Sequence, residues 1–176
     1  YSSSNSEPMQ RRGILIRKAM PDAIQNIDAE LATSIRIPLT DLVIEGRDGT
    51  GLKSEIPWVR IASKAASPKA TAGWYVVWLF KRDGSGVYLS LGHGSTQFVN
   101  GALIARSDDE LARLMTWSRG LLATEFSRDS RLVPNVALAS SAELALAYEK
   151  SCVASYFFPA GSIPTDQSLA QDMLKM

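Results

Sequence analysis

A β-hairpin in the middle of the chain constrains the fold more than any other feature of the sequence. Residues 74–81 (Trp-Tyr-Val-Val-Trp-Leu-Phe-Lys) and 86–91 (Gly-Val-Tyr-Leu-Ser-Leu) are rich in the β-branched and aromatic side chains that favour strands. The four residues between them, Arg-Asp-Gly-Ser, are typical of tight turns. The pattern therefore predicts two antiparallel strands joined by a short turn.

The rest of the sequence places strands in its first half and helices in its second. Further strands are expected over 39–44 and 56–62, and helices over 7–20 and 22–31, with Pro21 ending or kinking the first helix. The chain after the hairpin is expected to be helical. Because strands come first and helices follow, we predict an α+β fold, a twisted and mainly antiparallel sheet flanked by helices.

Three hydroxyl residues mark the expected starts of the later helices. Ser107 precedes Glu110 by three positions, and Ser140 precedes Glu143 in the same way. This is the spacing of a capping box, in which each side chain accepts a hydrogen bond from a free backbone N–H group. Thr165 is expected to begin the last helix.

The length and composition of the chain are those of one globular domain. A chain of 176 residues falls within the range of about 100–200 residues per domain, so residues 1–176 are expected to form a single unit, a piece of a longer protein because the sequence begins at Tyr1. Cys152 is the single cysteine, which excludes a disulfide within the chain and fits the reducing cytoplasm. No apolar run approaches the roughly 20 residues of a membrane helix, so no membrane partner is expected.

Positive charge is concentrated in residues 45–82. This stretch holds seven lysine and arginine residues against three acidic ones, a net charge of +4 in a chain whose total is +1. Such a local excess is typical of a site for a polyanion such as DNA. A set of solvated loop lysines gives the same count, and charge alone does not separate the two interpretations.

A glycine-rich segment, residues 46–54 (Gly-Arg-Asp-Gly-Thr-Gly-Leu-Lys-Ser), lies inside the basic stretch. It resembles a P-loop, but Leu52 separates Gly51 from Lys53, and the Ile-Pro-Trp that follows does not begin a helix. Nucleotide binding is therefore not predicted. A loop that presents Arg47 and Lys53 to the phosphates of DNA is the expectation.

The residues that most often carry catalysis are few. His93 is the only histidine and stands between two glycines, and no second histidine or cysteine lies near it to bind a metal. Cys152 stands among small residues and is expected to be a buried, unreactive thiol. We therefore predict no catalytic residue, no metal and no cofactor, and assign His93 to a loop or ligand contact.

Period-2 alternation divides the first hairpin strand into two faces. One face carries Tyr75, Val77 and Leu79, and the other carries Trp74, Val76, Trp78 and Phe80. The pattern alone favours burial of both faces in a core. The alternative is that helices cover only one face of the sheet, so that the second face exposes aromatic rings on which bases can stack.

These residues resemble a known family, the N-terminal domain of McrB-type modification-dependent restriction proteins. The resemblance extends over nearly the whole chain, and its most specific parts are the Ile-Pro-Trp strand and the hairpin. The segments that carry it are residues 1–5, 9–13, 55–61, 73–80, 83–91 and 148–150, together with Ile163 and Pro164.

The resemblance implies that this domain binds double-stranded DNA with a modified cytosine, such as a methylated one, and flips that base into a pocket. It implies that Trp58, Tyr75 and Leu79 line the pocket, and that a separate GTP-hydrolysing motor and a partner nuclease cut the DNA. The residues expected to contact DNA are Arg47, Thr50, Lys53, Arg60, Lys64, Lys69 and His93.

The chain departs from the family pattern at two places. Thr50 stands between two glycines where a well-known member has an aromatic residue that is inserted into the DNA, so Leu52 or Arg47 is expected to take that part. Gly92 and His93 stand where members often have an Asn-Gln pair, which implies a different contact at the pocket rim.

Two other functions compete with modified-DNA recognition. The first is an interaction module that docks a partner protein or small ligand on the aromatic face, and a binding comparison of methylated and plain duplexes separates it from DNA recognition. The second is an enzyme, for example a hydrolase, that uses His93.

Overall fold

The computed structural model describes residues 1–49 and 53–176, and its central feature is a five-stranded antiparallel sheet with the strand order β1-β2-β3-β4-β7. A separate two-stranded hairpin, β5-β6, lies outside this sheet. The strands are β1 (Leu42–Arg47), β2 (Trp58–Ser63), β3 (Trp74–Phe80), β4 (Gly86–His93), β5 (Thr96–Val99), β6 (Ala102–Ala105) and β7 (Cys152–Pro159).

Seven α-helices in the described residues accompany the sheet: α1 (Glu7–Ile14), α2 (Met20–Gln25), α3 (Asp28–Ser34), α4 (Asp108–Leu121), α5 (Ala123–Arg128), α6 (Glu143–Lys150) and α7 (Asp166–Lys175). The predicted fold class, an α+β domain with a mainly antiparallel sheet flanked by helices, is confirmed. The central hairpin is confirmed too, with Gly84 at a φ of +74° in its turn. Nowhere in the described ranges does a helix combine the length and apolar character needed to cross a bilayer.

The helical backbone does not end at Pro21. A π-helical turn (Leu15–Ala19) connects α1 to α2 just before the proline, and Pro21 then lies in the first turn of α2. A missing N–H at that position breaks no hydrogen bond of the new helix. The π turn also packs against β1, where a Cβ atom on Gly46 would lie 1.8 Å from the backbone oxygen of Ile16.

The helix starts were predicted correctly in two of three cases. Ser107 accepts a hydrogen bond from the backbone N–H of Glu110, and Thr165 accepts one from Ser168. Ser140 does not cap α6, whose N-cap is Ala142. Its hydroxyl instead donates to Glu55 at 2.5 Å and accepts a hydrogen bond from the Ala142 N–H group.

The expectation that the second half is helical is wrong for three strands. β7 pairs with β4, and its first five residues are buried, so the polar alternation that marks a half-exposed strand is absent. β5 and β6 form a hairpin whose turn residues, Asn100 and Gly101, both have positive φ angles of 51° and 82°. The Asn-Gly pair is the strongest short signal of a two-residue hairpin.

Both faces of the sheet are covered, as the favoured interpretation of the β3 pattern predicts, and the alternative of an exposed aromatic face is wrong. Trp78 and Leu89 belong to a core with the N-terminal helices and α7. Val77, Leu79 and Tyr88 belong to a second core with α6 and the chain before it. The predicted division of β3 into two sets of side chains is therefore confirmed, but neither set forms an open aromatic surface.

Candidate functional site

A cavity of about 90 Å³ lies at one end of the second core, between the sheet, the chain after β2, α6 and the β5-β6 hairpin. Its walls are mainly apolar. The three residues expected to form a base pocket, Trp58, Tyr75 and Leu79, all line this cavity. The other lining residues are Ala70, Thr71, Val77, Gly92, His93, Thr96, Leu103, Tyr148, Ser151 and Cys152.

Strand register brings these side chains together. Trp58 on β2 pairs with Leu79 on β3, and Tyr75 on β3 pairs with Gly92 on β4. Directly paired residues of antiparallel strands project to the same side of the sheet. Since Gly92 has no side chain, an open space remains beside Tyr75.

Tyr75 is held in place by its hydroxyl group and its ring. The hydroxyl donates a hydrogen bond of 2.8 Å to the backbone oxygen of Ala70, which ties β3 to the loop of residues 64–73. The guanidinium of Arg60 lies 5.7 Å from the ring centre. Burial raises the pKa of Tyr75 well above its ordinary value, so the phenol stays a neutral donor.

The two glycines that flank His93, Gly92 and Gly94, have different structural roles. A Cβ atom on Gly92 would meet its nearest neighbour at 3.4 Å, an ordinary contact, whereas one on Gly94 would lie 2.3 Å from the backbone of Thr71. Gly94 therefore permits close packing of two chain segments, and Gly92 leaves the cavity open.

His93 lies between these glycines with its ring edge-on to Trp74, the ring centres 4.8 Å apart. Its Nδ1 atom is 3.0 Å from the backbone oxygen of Gly94. A carbonyl oxygen only accepts hydrogen bonds, so Nδ1 carries the proton and Nε2 is an acceptor in the neutral ring. Burial lowers the pKa of His93, which favours this neutral form.

Cys152 forms part of the cavity wall. Its thiol is buried and donates to the backbone oxygen of Tyr148 at 3.2 Å, as expected of a structural cysteine. Burial raises the pKa of Cys152 to about 12. The thiolate is therefore scarce near neutral pH, and the residue is a poor nucleophile.

The residues predicted to contact DNA fall into distinct positions. Arg60 is only 2% exposed, and its guanidinium donates to Glu45 and to Ser67. Its assignment as a DNA contact is therefore corrected, because it holds the 64–73 loop from inside the protein. Lys64 and Lys69 lie exposed on that loop, and Lys69 directly precedes Ala70 of the cavity wall.

A second set of basic residues surrounds the fully buried carboxylate of Asp48. Arg12 and Lys53 contact it at 2.6 Å and 3.0 Å, and Arg17 lies at 3.5 Å. Three positive charges around one negative charge leave an excess that is favourable for phosphate. Arg47 is exposed beside this cluster and contacts Glu45 at 3.3 Å.

Sequence reasoning missed Arg12 and Arg17, although Arg12 belongs to the 9–13 segment that carries the resemblance. A charge count along the sequence cannot reveal that a helix lies beside a loop more than 30 positions later. Thr50, which was predicted to contact DNA, and Leu52 lie outside the described residues.

Arg106 was missed as well, and it organises the cavity rim. Its guanidinium donates to the backbone oxygens of Gly94 and Thr71 and to the carboxylate of Glu110. One side chain thus connects the residue that follows β4, the 64–73 loop and α4. The role of Arg106 cannot be predicted from a local sequence pattern, because most of its hydrogen-bond acceptors are backbone oxygens, which every residue has.

A mainly apolar cavity with basic side chains nearby, built on a rigid sheet, is the site of a binding domain. Within residues 1–49 and 53–176, no cluster of three His, Cys, Asp or Glu residues is placed to hold a metal ion.

The family model described as the MrcB-like N-terminal domain matches residues 1–176, so the chain belongs to this family. It is accordingly a DNA-binding targeting module of a restriction system rather than a catalytic domain. No curated protein and no solved structure matches the chain.

Proposed function

We propose that this domain recognises double-stranded DNA carrying a modified cytosine, and that the modified base leaves the duplex and enters the cavity lined by Trp58, Tyr75 and Leu79. The observation that supports this is the convergence of these three side chains on one apolar cavity, with Lys69 beside its wall. In this proposal a motor and a nuclease elsewhere in the restriction system cut the DNA.

The energetics of the proposal require a closely fitting pocket. Removing a base from the stack costs a few kcal/mol, and contacts with aromatic and apolar walls offset that cost. A single methyl group adds only about 0.8 kcal/mol when it is fully buried. Recognition of a methylated cytosine therefore needs polar contacts and shape in addition to apolar burial.

The size of the cavity implies that its rim moves when a base binds. Its volume is about 90 Å³, whereas an apolar cavity that binds benzene has a volume of roughly 150 Å³. Leu103 is 39% exposed and lies on the separate hairpin, so it is the lining residue that can most readily shift.

His93 is proposed to contact the DNA beside the cavity mouth and not the base inside the cavity. His93 pairs with Trp74 across β3 and β4, and its ring packs edge-on against the Trp74 ring. Because Trp74 lies on the sheet face opposite Tyr75, the His93 imidazole is directed away from the Tyr75 side of the sheet.

Basic residues outside the cavity are proposed to bind the phosphates. Lys64 and Lys69 contribute from the 64–73 loop, and Arg17, Arg47 and Lys53 contribute from the cluster around Asp48. These contacts fix the position of the duplex and carry no information about the base.

The pocket assignment is tested by binding to duplexes that differ in one modified base. Trp58→Ala and Tyr75→Ala are expected to weaken binding to methylated DNA about 10-fold or more, since a base–aromatic contact is worth that much. Phe157→Ala is the control, because it removes an aromatic ring from the same sheet face without touching the cavity. Unchanged affinity of both pocket variants, when they are folded by circular dichroism, would contradict the assignment.

The phosphate contacts are tested by the salt dependence of binding. Each lost contact is expected to lower the slope of log K against log salt concentration by about 0.9. Lys69→Ala, Lys64→Ala and Lys53→Ala are compared with Lys175→Ala, an exposed lysine on α7. Slopes equal to that of the control would remove these lysines from the interface.

A further inference from the structure

The β5-β6 hairpin carries four large apolar side chains that are exposed to solvent. Phe98 is 67% exposed, and Val99, Leu103 and Ile104 are also exposed. Large apolar groups clustered on one small element are a signature of a binding surface. The hairpin therefore needs a partner that its own domain does not provide.

Strand register shows which of these side chains accompany the cavity. Phe98 pairs with Leu103, and Thr96 pairs with Ala105. Thr96, Phe98 and Leu103 therefore share one face of the hairpin, because side chains two residues apart project to the same side. Thr96 and Leu103 line the cavity. Phe98 stands about 7 Å beyond Thr96 towards the hairpin tip, at the spacing of two strand residues.

The hairpin is held firmly at its base. The backbone N–H of Arg106 donates to Ser95 at 2.8 Å, and the Arg106 side chain reaches Gly94, Thr71 and Glu110. The turn at Asn100 and Gly101 has the positive φ angles that match strand twist. Phe98 is therefore presented on a short, well-supported element.

We propose that Phe98 is a wedge that enters the DNA base stack at the place vacated by the flipped base, an inference that rests on the proposed function. A base inside the cavity keeps its backbone at the cavity mouth, so the duplex then lies against the face that carries Phe98. An aromatic side chain that occupies the vacated place stacks on the neighbouring bases and so replaces part of the lost stacking. Phe98 does not contact the flipped base and acts as a positioning residue.

The sequence of the glycine-rich loop supports this assignment. Thr50 has no ring with which to replace a base in the stack. Phe98 has one, and it belongs to an element that also forms the cavity wall. We therefore assign the role of filling the gap in the duplex to the hairpin, in place of the earlier expectation of Leu52 or of Arg47, whose guanidinium contacts Glu45 at 3.3 Å.

The first experiment compares two faces of the same hairpin. Phe98→Ala is expected to weaken binding to a duplex with one 5-methylcytosine about 10-fold. Val99→Ala, an exposed apolar residue on the opposite face, is expected to leave binding unchanged. Phe98→Trp retains a stacking ring and is expected to keep most of the affinity. Equal affinity of Phe98→Ala and the original protein would overturn the wedge.

The second experiment locates residue 98 on the DNA. Phe98 is replaced by photoreactive p-azidophenylalanine and cross-linked to the same duplex. We expect cross-links to the guanine opposite the modified base or to the flanking nucleotides. Cross-links confined to the modified base itself, or none to DNA, would overturn the wedge while leaving the proposed function intact.

The two proposals fail in different ways. If the original protein binds methylated and plain duplexes equally, the proposed function is wrong, and the wedge falls with it. The wedge alone is wrong if the original protein prefers methylated DNA but residue 98 has no role in binding. In that case Phe98→Ala keeps full affinity, and residue 98 does not cross-link to the opposite strand or the neighbouring nucleotides. The hairpin would then be a surface for another protein.

Discussion

The two faces of the central sheet are built for different purposes. The face towards the N-terminal helices and α7 buries Val59, Trp78 and Leu89 in a large apolar core. The opposite face is covered by α6, the chain before it and the β5-β6 hairpin, and it leaves a cavity lined by Tyr75 and Gly92. One face supplies stability, and the other combines stability with a space for a ligand.

The two faces of the sheet also differ in the polar groups that they bury. The cavity face holds the buried hydroxyl pair of Ser90 and Ser155 at 2.8 Å, the buried guanidinium of Arg60 and the anchored phenol of Tyr75. Each of these groups needs partners in fixed positions, which restricts how the face can rearrange. The large core gains its stability from apolar contact, so it tolerates little loss of volume but needs few specific partners.

The largest expected effect comes from the apolar face. Leu89 is fully buried in the large core, and Leu89→Ala is expected to lower the free energy of unfolding by about 2–5 kcal/mol. Leu103→Ala, at the exposed cavity rim, is expected to change it by less than about 1 kcal/mol. Urea unfolding measures both values. If both variants lost a similar free energy of unfolding, the large apolar core would not be the main source of stability.

The next effect separates the two glycines beside His93. Gly94→Ala places a Cβ atom 2.3 Å from the backbone of Thr71 and is expected to cost about 1–3 kcal/mol of stability. Gly92→Ala places its Cβ atom 3.4 Å from the nearest atom and is expected to keep stability while narrowing the cavity. Thermal unfolding and binding to methylated DNA measure the two effects, and a stable Gly94→Ala variant would contradict the assignment.

The sequence revealed the cavity more clearly than it revealed the fold around it. Alternation along β3 placed Tyr75 and Leu79 on one face, and the resemblance added Trp58 from the neighbouring strand. The structure brings all three to one cavity. Strand β7 was missed because burial on both sides removes the alternating pattern by which strands are recognised.

The sequence also failed where function depends on residues that are distant along the chain. Arg60 counted as a surface charge, but it lies buried against Glu45 and Ser67. Arg12 joins Lys53 through Asp48, and no local pattern links these positions. Basic residues near one another in sequence predicted a basic region, while packing decided which of them reach the surface.

The smallest expected effect concerns pH and the neutral form of His93. Burial holds the pKa of His93 below its ordinary value of 6.5, so below that pH the unfolded chain binds more protons than the folded one. Stability is therefore greatest above pH 6.5 and falls as the pH drops towards the folded-state pKa. His93 is the only histidine, so His93→Gln is expected to flatten stability measured by urea unfolding between pH 7 and 5. An unchanged slope in that variant would mean that a group elsewhere in the protein titrates instead.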